Sequence, residues 1–226
     1  MATRTRNTER REDALSKERI IEAAVEMLDA GGESALTFRA LSATLKTGPG
    51  AIYWHVANKG ELLTAATDAI LTGAMPPADA GGTPQEAIRA VAIGVFDAIE
   101  AHPWAGEQMS QLASQSTTLR VFERIGRQVQ ALGVPGPAQF FAASALLNYI
   151  LGVAAQNAAM ARSVQQGTDR TEVLDMVAAL WNSLDTDEYP FLRTIAAQLR
   201  DHDDRAQFLA GVDLILAGIA TLTRPA

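Results

Sequence analysis

The sequence predicts an all-α protein in which a small N-terminal unit of short helices precedes a larger helical domain. Apolar residues recur at three- and four-residue spacing along nearly the whole chain, while strand signals are scarce. The Pro/Gly-rich stretch MPPADAGGTP, residues 75–84, separates a short first part from a long second one. With 226 residues, 48% of them hydrophobic and 20% charged, the chain can bury a core in one domain plus a smaller one.

Each element has a local cause. Ile20, Ile21, Ala24, Val25 and Leu28 form one stripe, so 16–30 reads as an amphipathic helix with Ser16 as N-cap and Gly31-Gly32 as its stop. Thr37 caps a short second helix, 38–45, whose Phe38, Leu41 and Leu45 point one way. A third helix starts at Pro49, whose missing N–H would be unpaired in a first turn anyway, with Gly48 before it as cap. It ends near Val56, where Asn58 caps a fourth helix through Leu62, Leu63, Ala66, Ile70 and Leu71. Beyond the break, helical periodicity covers 85–101, 103–114, 119–132, 138–164, 171–184, 190–199 and 204–222, with no internal repeat. The expected organisation is a flexible basic arm over 1–15, a first domain over 16–74 and a second over 84–224.

Composition excludes several classes. Cysteine is absent, which removes disulfide frameworks, thiolate zinc sites and cysteine nucleophiles, and fits a reducing compartment. The N-terminus lacks an apolar leader core, and the apolar tract 140–160 is interrupted by Asn148, Gln156 and Asn157, so it reads as a buried core helix and not a membrane span. A cytoplasmic protein with no membrane partner is expected. The net charge of −7 argues against a general nucleic-acid coat, yet Lys17, Lys46, Lys59, Arg4, Arg6, Arg10, Arg11, Arg19 and Arg39 all precede residue 60. The run Arg4 to Arg11 reads equally as a solvated tail or a DNA-contacting arm. No HExxH, P-loop, GxSxG or dinucleotide fingerprint occurs, and His55, His102 and His202 are far apart in sequence. Neither an enzyme nor a cofactor is expected. Nor is a metal, because His102 has no further ligand at metal spacing.

The stretch LTFRALSATLKTGPGAIYWHVANKGELL, residues 36–63, places two short helices around a tight turn behind a longer first helix. That is the helix-turn-helix arrangement, whose second helix enters the major groove. Gly48 and Gly50 permit close backbone approach, Tyr53 and His55 can hydrogen-bond phosphates or bases, and Lys59 supplies a point charge. Trp54 is expected to pack inward and hold the helix. Spacing alone also suits a helical hairpin whose aromatic stripe is core.

The order of residues here, with Thr37, Leu41, Leu45, Tyr53, Lys59 and Leu62 in register and the ending YWHV.NK..LL, resembles the DNA-binding segment of the tetracycline-repressor (TetR) family of bacterial transcriptional regulators. The resemblance spans about residues 16–72. It implies that Thr37 caps the second helix and touches phosphate, and that Arg39 can read a guanine edge. It also places Gly50 and Ala51 at the exposed start of the recognition helix, Tyr53 and His55 on its phosphate side beside Trp54, and Lys59 as a phosphate lysine. Lys46 stands where the family commonly has glycine, followed by Thr47 in place of a small apolar residue. Lys46 must therefore take a positive φ or alter the turn. The Gly48-Pro49-Gly50 start also departs from the family, so no operator sequence carries over.

The resemblance further implies a C-terminal domain that dimerises and encloses a small-molecule pocket. Phe208, Gly211, Ile215, Gly218 and Leu222 form one stripe on the last helix, and Ala145, Gly152, Ala155 and Ala159 supply small residues on the long one. Together they are the candidate four-helix dimer interface, the alternative being an intramolecular core. His102, Trp104, Gln108, Met109, Phe122, Asn148, Gln156 and Asn157 mix apolar and isolated polar groups and are the candidate ligand contacts. The expected function is a homodimeric, ligand-responsive regulator, a repressor released from a roughly palindromic double-stranded DNA operator by a small-molecule effector. The alternatives are a constitutive DNA-binding or interaction module without an effector, or an all-helical enzyme.

Overall fold

The computed structural model describes residues 15–77, 81–111, 116–165, 169–199 and 202–223. The arm expected over 1–15 lies outside these residues except for Leu15. Among the described residues all regular structure is helical. The N-terminal helices are α1 (Lys17–Ala35), α2 (Phe38–Thr44), α3 (Pro49–Tyr53) and α4 (Lys59–Ala74). They are followed by α5 (Pro84–Ala101), α6 (Pro103–Gln111), α7 (Ser116–Ala131), α8 (Gly136–Gln165), α9 (Arg170–Ser183), α10 (Pro190–Ile195) with a 3-10 turn Ala196–Leu199, and α11 (Asp204–Leu222).

The predicted starts are present as capped helix ends. Ser16 Oγ accepts from Arg19 N and Asn58 Oδ1 from Glu61 N, satisfying first-turn N–H groups that have no partner within the helix. At α5 the device is reciprocal: Thr83 Oγ1 accepts from Glu86 N, and Glu86 Oε2 accepts from Thr83 N at 2.7 Å. The glycine stop of α1 is partly overridden. Gly32 takes φ 64°, which breaks the regular helix there, and a further turn follows to Ala35.

The helices close around two hydrophobic cores. One gathers Ile20, Ala24, Leu28, Leu41, Ile52, Val56, Leu62 and Ala66 from α1 to α4. The larger gathers Ile88, Val95, Ile125, Leu146, Ile150, Phe208 and Val212 around α8, which packs on α5, α6, α7 and α11. These cores interlock and do not divide at the Pro/Gly break. Leu71 and Met75 at the end of α4 belong to the larger core, while Trp104 and Ala105 of α6 belong to the smaller one. Burial of these two α6 residues therefore contributes to the stability of the N-terminal unit.

Helices α8 and α11 are long and apolar enough to cross a bilayer by length and composition. Their inner faces are packed into the larger core, so the burial expected over 140–160 holds for one face of α8 only, and each helix also has a second, exposed apolar face. On α8, Phe141 (71% exposed), Ala145, Asn148, Gly152, Gln156 and Ala159 follow one another along the outside. On α11 the outward residues include Ala210, Leu214 (75% exposed), Ala217, Gly218 and Thr221.

The stripe expected to form the dimer face of α11 needs correction. Phe208 is fully buried within the protomer, stacked on Phe96 at 4.7 Å and on Tyr149 at 5.8 Å between ring centroids. Gly211 lies against the Tyr149 ring, and Ile215 is half-buried against the larger core. Both faces of α11 are apolar, so a three- and four-residue stripe can be traced on either, and the sequence-based one followed the inner face. Gly218 and Leu222 do lie outside, as do Ala145, Gly152 and Ala159 of α8, with Ala155 half-buried.

Helices α9 and α10 with the 3-10 turn pack on one another as a separate hairpin. Among its described residues only Ala178 and Ala196 are buried. At its base Arg170 Nη2 donates to Asp204 Oδ2 (2.8 Å) and to the His202 carbonyl (3.2 Å).

Candidate nucleic-acid interface

The turn between α2 and α3 fixes the angle of the recognition helix. Thr37 Oγ1 accepts from Ala40 N at 3.1 Å and starts α2. At its end Lys46 N donates to the Ala43 carbonyl and Thr47 N to the Ser42 carbonyl, at 3.2 and 2.9 Å. This pair of bonds requires a left-handed residue between them, and Lys46 supplies it at φ 51°. The same bonds end α7, where Gly133 and Val134 donate to Gln130 and Val129 and the left-handed residue is Gly133 at φ 79°. Of the two alternatives open at Lys46, the chain keeps the turn and places a side chain in strained backbone, at about 1 kcal/mol.

Helix α3 is held at both ends and along one side. Pro49 occupies its first turn after Gly48, Ala51 N donates to the Gly48 carbonyl, and His55 N and Val56 N both donate to the Ile52 carbonyl. Ile52 and Val56, one turn apart, are buried in the smaller core and define the inward face. Immediately beyond, Glu61 Oε2 accepts from Ala57 N at 2.8 Å and joins this exit to α4.

What this clamp leaves outside is the surface of interest. Tyr53 is 53% exposed and lies flat on Phe38, with ring centroids 4.5 Å apart and planes 2° from parallel. Trp54 is 90% exposed, which reverses the inward packing expected of it. The reason is angular: with Ile52 and Val56 turned into the core, the residue midway between them faces away. Thr37, Arg39, Lys46, Gly48, Pro49 and Gly50 are also exposed, while Thr47, Ala51 and His55 are half-buried. Lys59 is not directed freely to solvent. Its Nζ donates to the Glu33 carbonyl at 2.6 Å and lies 3.3 Å from Glu33 Oε1, tying the start of α4 to the end of α1.

The candidate ligand residues are not brought together. Trp104 Nε1 donates to Asp29 Oδ1 at 2.7 Å, and His102 Nδ1 lies 2.8 Å from the same oxygen. Gln108 Nε2 donates to Glu33 Oε2 at 3.4 Å. These three residues of the α5–α6 corner thus grip α1 at the junction of the two cores, since their polar atoms find carboxylates one helical turn apart there. Met109 is buried in the larger core and Phe122 packs edge-on against Phe140. Asn148 and Gln156 lie on the outer face of α8, and Asn157 is half-buried. A cavity of about 450 Å³ opens elsewhere, between the α4–α5 connection and α7, lined by Pro76, Pro77, Ala87, Val91, Arg124 and Arg127 among others. Sequence reasoning missed it. The available signal was the spacing of Arg120, Arg124 and Arg127, which places three cations on one side of α7.

The comparisons agree with this architecture. Residues 20–66 match the family model described as bacterial regulatory proteins, tetR family, and residues 76–223 match the tetracyclin repressor-like C-terminal domain. A TetR transcriptional regulator of solved structure from Streptomyces coelicolor is 53% identical, with a TM-score of 0.84 over 93% of this chain and 100% of that one. The ActR protein of Streptomyces coelicolor, solved with actinorhodin, is 25% identical with a TM-score of 0.73, covering 91% of this chain and 95% of that one. BioQ, solved with its double-stranded DNA operator, is 27% identical with a TM-score of 0.62, covering 92% and 99%. A capped helix-turn-helix unit joined to a larger helical body, each half matched by its own model, places this chain in the TetR family of helix-turn-helix transcriptional regulators.

Proposed function

We propose that the protein is a homodimeric repressor that grips a roughly palindromic operator with two copies of α3 and releases it when a small molecule binds the larger domain. The observation that carries the DNA-binding surface is the pair Tyr53 and Trp54. A folded chain that buries Ile52 and Val56 at a short, clamped helix leaves two large aromatics beside them in solvent. Two adjacent exposed aromatics make an apolar patch of the kind that marks a contact surface. DNA offers thymine methyls and sugars for the rings and phosphates for the tyrosine hydroxyl. Thr37, Arg39, Gly50, Tyr53, Trp54 and His55 form the contact set, and Lys59 is a positioning residue until DNA competes with Glu33 for its ammonium. The operator seen with BioQ supports this reading.

Dimerisation supplies the spacing. Two recognition helices must stand about 34 Å apart to enter successive major grooves. The outward apolar faces of α8 and α11, with Phe141, Ala145, Gly152, Leu214 and Gly218, are the surfaces that a second copy covers. A four-helix contact of this kind fixes the span through small side chains. The actinorhodin bound to ActR supports a small-molecule effector. A ligand that favours the wrong span weakens operator binding tenfold for each differential of about 1.4 kcal/mol. A regulator of this type works in the cytoplasm and performs no turnover.

The test is selection of a preferred duplex from random DNA, followed by titration of that duplex in increasing salt. The expected result is a two-fold-related site with half-sites one helical turn apart. Failure to enrich any sequence over bulk competitor overturns the reading.

A further inference from the structure

The larger of the described cavities has a chemistry that the candidate contacts above did not anticipate. Helix α7 turns Val121, Ile125 and Val129 into the core and carries Arg120, Arg124 and Arg127 away from it. The last two line both the cavity of about 450 Å³ and a neighbouring one of about 360 Å³. Its other side is apolar: Pro76 and Pro77 from the α4–α5 connection, Ala87, Ala90 and Val91 from α5. A volume of this order is that of a small-molecule site.

The arginines are held in place without being used up. Arg124 Nη1 donates to the Pro76 carbonyl, which leaves further N–H donors on the same guanidinium. Arg127 Nε donates to Glu123 Oε1 at 2.7 Å, an exposed pair four residues apart on one helix, and such pairs exchange partners at little cost. Arg120 makes a long bond to Thr72 Oγ1, 3.4 Å. Among the described residues the carboxylates lining the two cavities are Glu86 and Glu123. Glu86 is already engaged by Thr83, whose N–H and hydroxyl hold its carboxyl below the usual range. Among the described residues the linings of the two cavities hold three arginines and two carboxylates, one of which is already engaged.

We propose that this groove between α5, α7 and the end of α4 binds an amphipathic monocarboxylate, its apolar body against Pro77, Ala87, Ala90 and Val91 and its carboxylate forked by Arg124 and Arg127. The planar guanidinium matches a carboxylate in two parallel hydrogen bonds. On the ligand-responsive reading above, on which this part rests, the groove is where the effector meets the protein.

The test uses the full-length protein and four probes, phenylacetate, 4-phenylbutyrate, 1-naphthoate and decanoate, each against its uncharged amide, by isothermal titration calorimetry. At least one acid should bind about tenfold or more tightly than its amide. Arg127→Gln should remove that preference and leave thermal stability unchanged. Arg205→Gln, at an exposed pair with Asp97 on α11, should change neither. Equal binding of acid and amide in all four pairs, or an acid preference that survives in both Arg127→Gln and Arg124→Gln, overturns the site. Operator release is read separately by fluorescence anisotropy. An acid that binds with Arg127 dependence yet leaves DNA affinity unchanged supports the site and overturns its role as the effector site.

Discussion

Trp104 of α6 donates its indole N–H to Asp29 of α1 at 2.7 Å, so the larger domain places a buried aromatic inside the core of the DNA-binding unit. His102 converges on the same carboxylate oxygen. A change in the position of α6 must therefore either carry α1 with it or break these bonds. Trp104→Phe keeps an aromatic ring but loses the donor and part of the indole's volume, and is expected to cost about 1–3 kcal/mol. Trp104→Ala opens a cavity between the units and is expected to cost about 3–5 kcal/mol. Urea denaturation checks both; equal stability of the alanine variant and the wild type would remove Trp104 from the core.

Lys46 holds a backbone conformation that Gly133 adopts without strain in the same kind of helix end. Lys46→Gly should raise stability by about 0.5 kcal/mol, the strain of about 1 kcal/mol being partly offset by glycine's extra freedom when unfolded, and raise Tm by about 1–2 °C. Calorimetry reads the shift. A fall in Tm would show that the lysine side chain contributes more than the strain costs.

On the recognition helix, Trp54→Ala should leave stability within about 0.5 kcal/mol, because the side chain touches little of the folded chain. Its affinity for the selected operator should fall by about tenfold. Tyr53→Ala removes a ring stacked on Phe38 and should lose about 0.5–1.5 kcal/mol of stability as well as DNA affinity. Anisotropy titrations beside thermal melts separate the two effects, and unchanged operator affinity in both variants would move the interface elsewhere.

The two faces of α11 give opposite outcomes. Leu214→Glu, on the outer face, should yield a folded monomer that binds the operator poorly. Phe208→Ala, on the inner face, should destabilise the protomer by about 3–5 kcal/mol. Sedimentation at several concentrations decides the first. A dimer that tolerates Leu214→Glu would exclude this face.

At the start of α5, the Thr83 N–H and hydroxyl hold the Glu86 carboxyl below the usual carboxylate range. Since the folded group is the stronger acid, its contribution to stability is complete above its ordinary pKa and is lost as pH falls through the lowered one. Glu86→Gln should therefore narrow the difference in melting temperature from wild type as the solution is acidified. A gap that stays constant from neutral pH into the acid range would show that ionisation of Glu86 plays no part.

The sequence by itself determined the helical architecture and the DNA-binding turn, because these depend on neighbours a few residues apart. Ser16, Thr37 and Asn58 cap the helices that follow them and Pro49 starts α3, while at Lys46 the sequence left a positive φ and an altered turn both open and the fold took the first. Tertiary structure alone decided which way a side chain turns when both faces of a helix are apolar and where an isolated polar group finds its partner. Trp54 faces outward because Ile52 and Val56 compete for the core, and Phe208 faces inward because Phe96 and Tyr149 meet it there. His102, Trp104 and Gln108 reach Asp29 and Glu33, about seventy-five residues earlier in the chain. Periodicity along one helix gives the presence of a stripe; the packing partner, brought close only by the fold, selects the side that is buried.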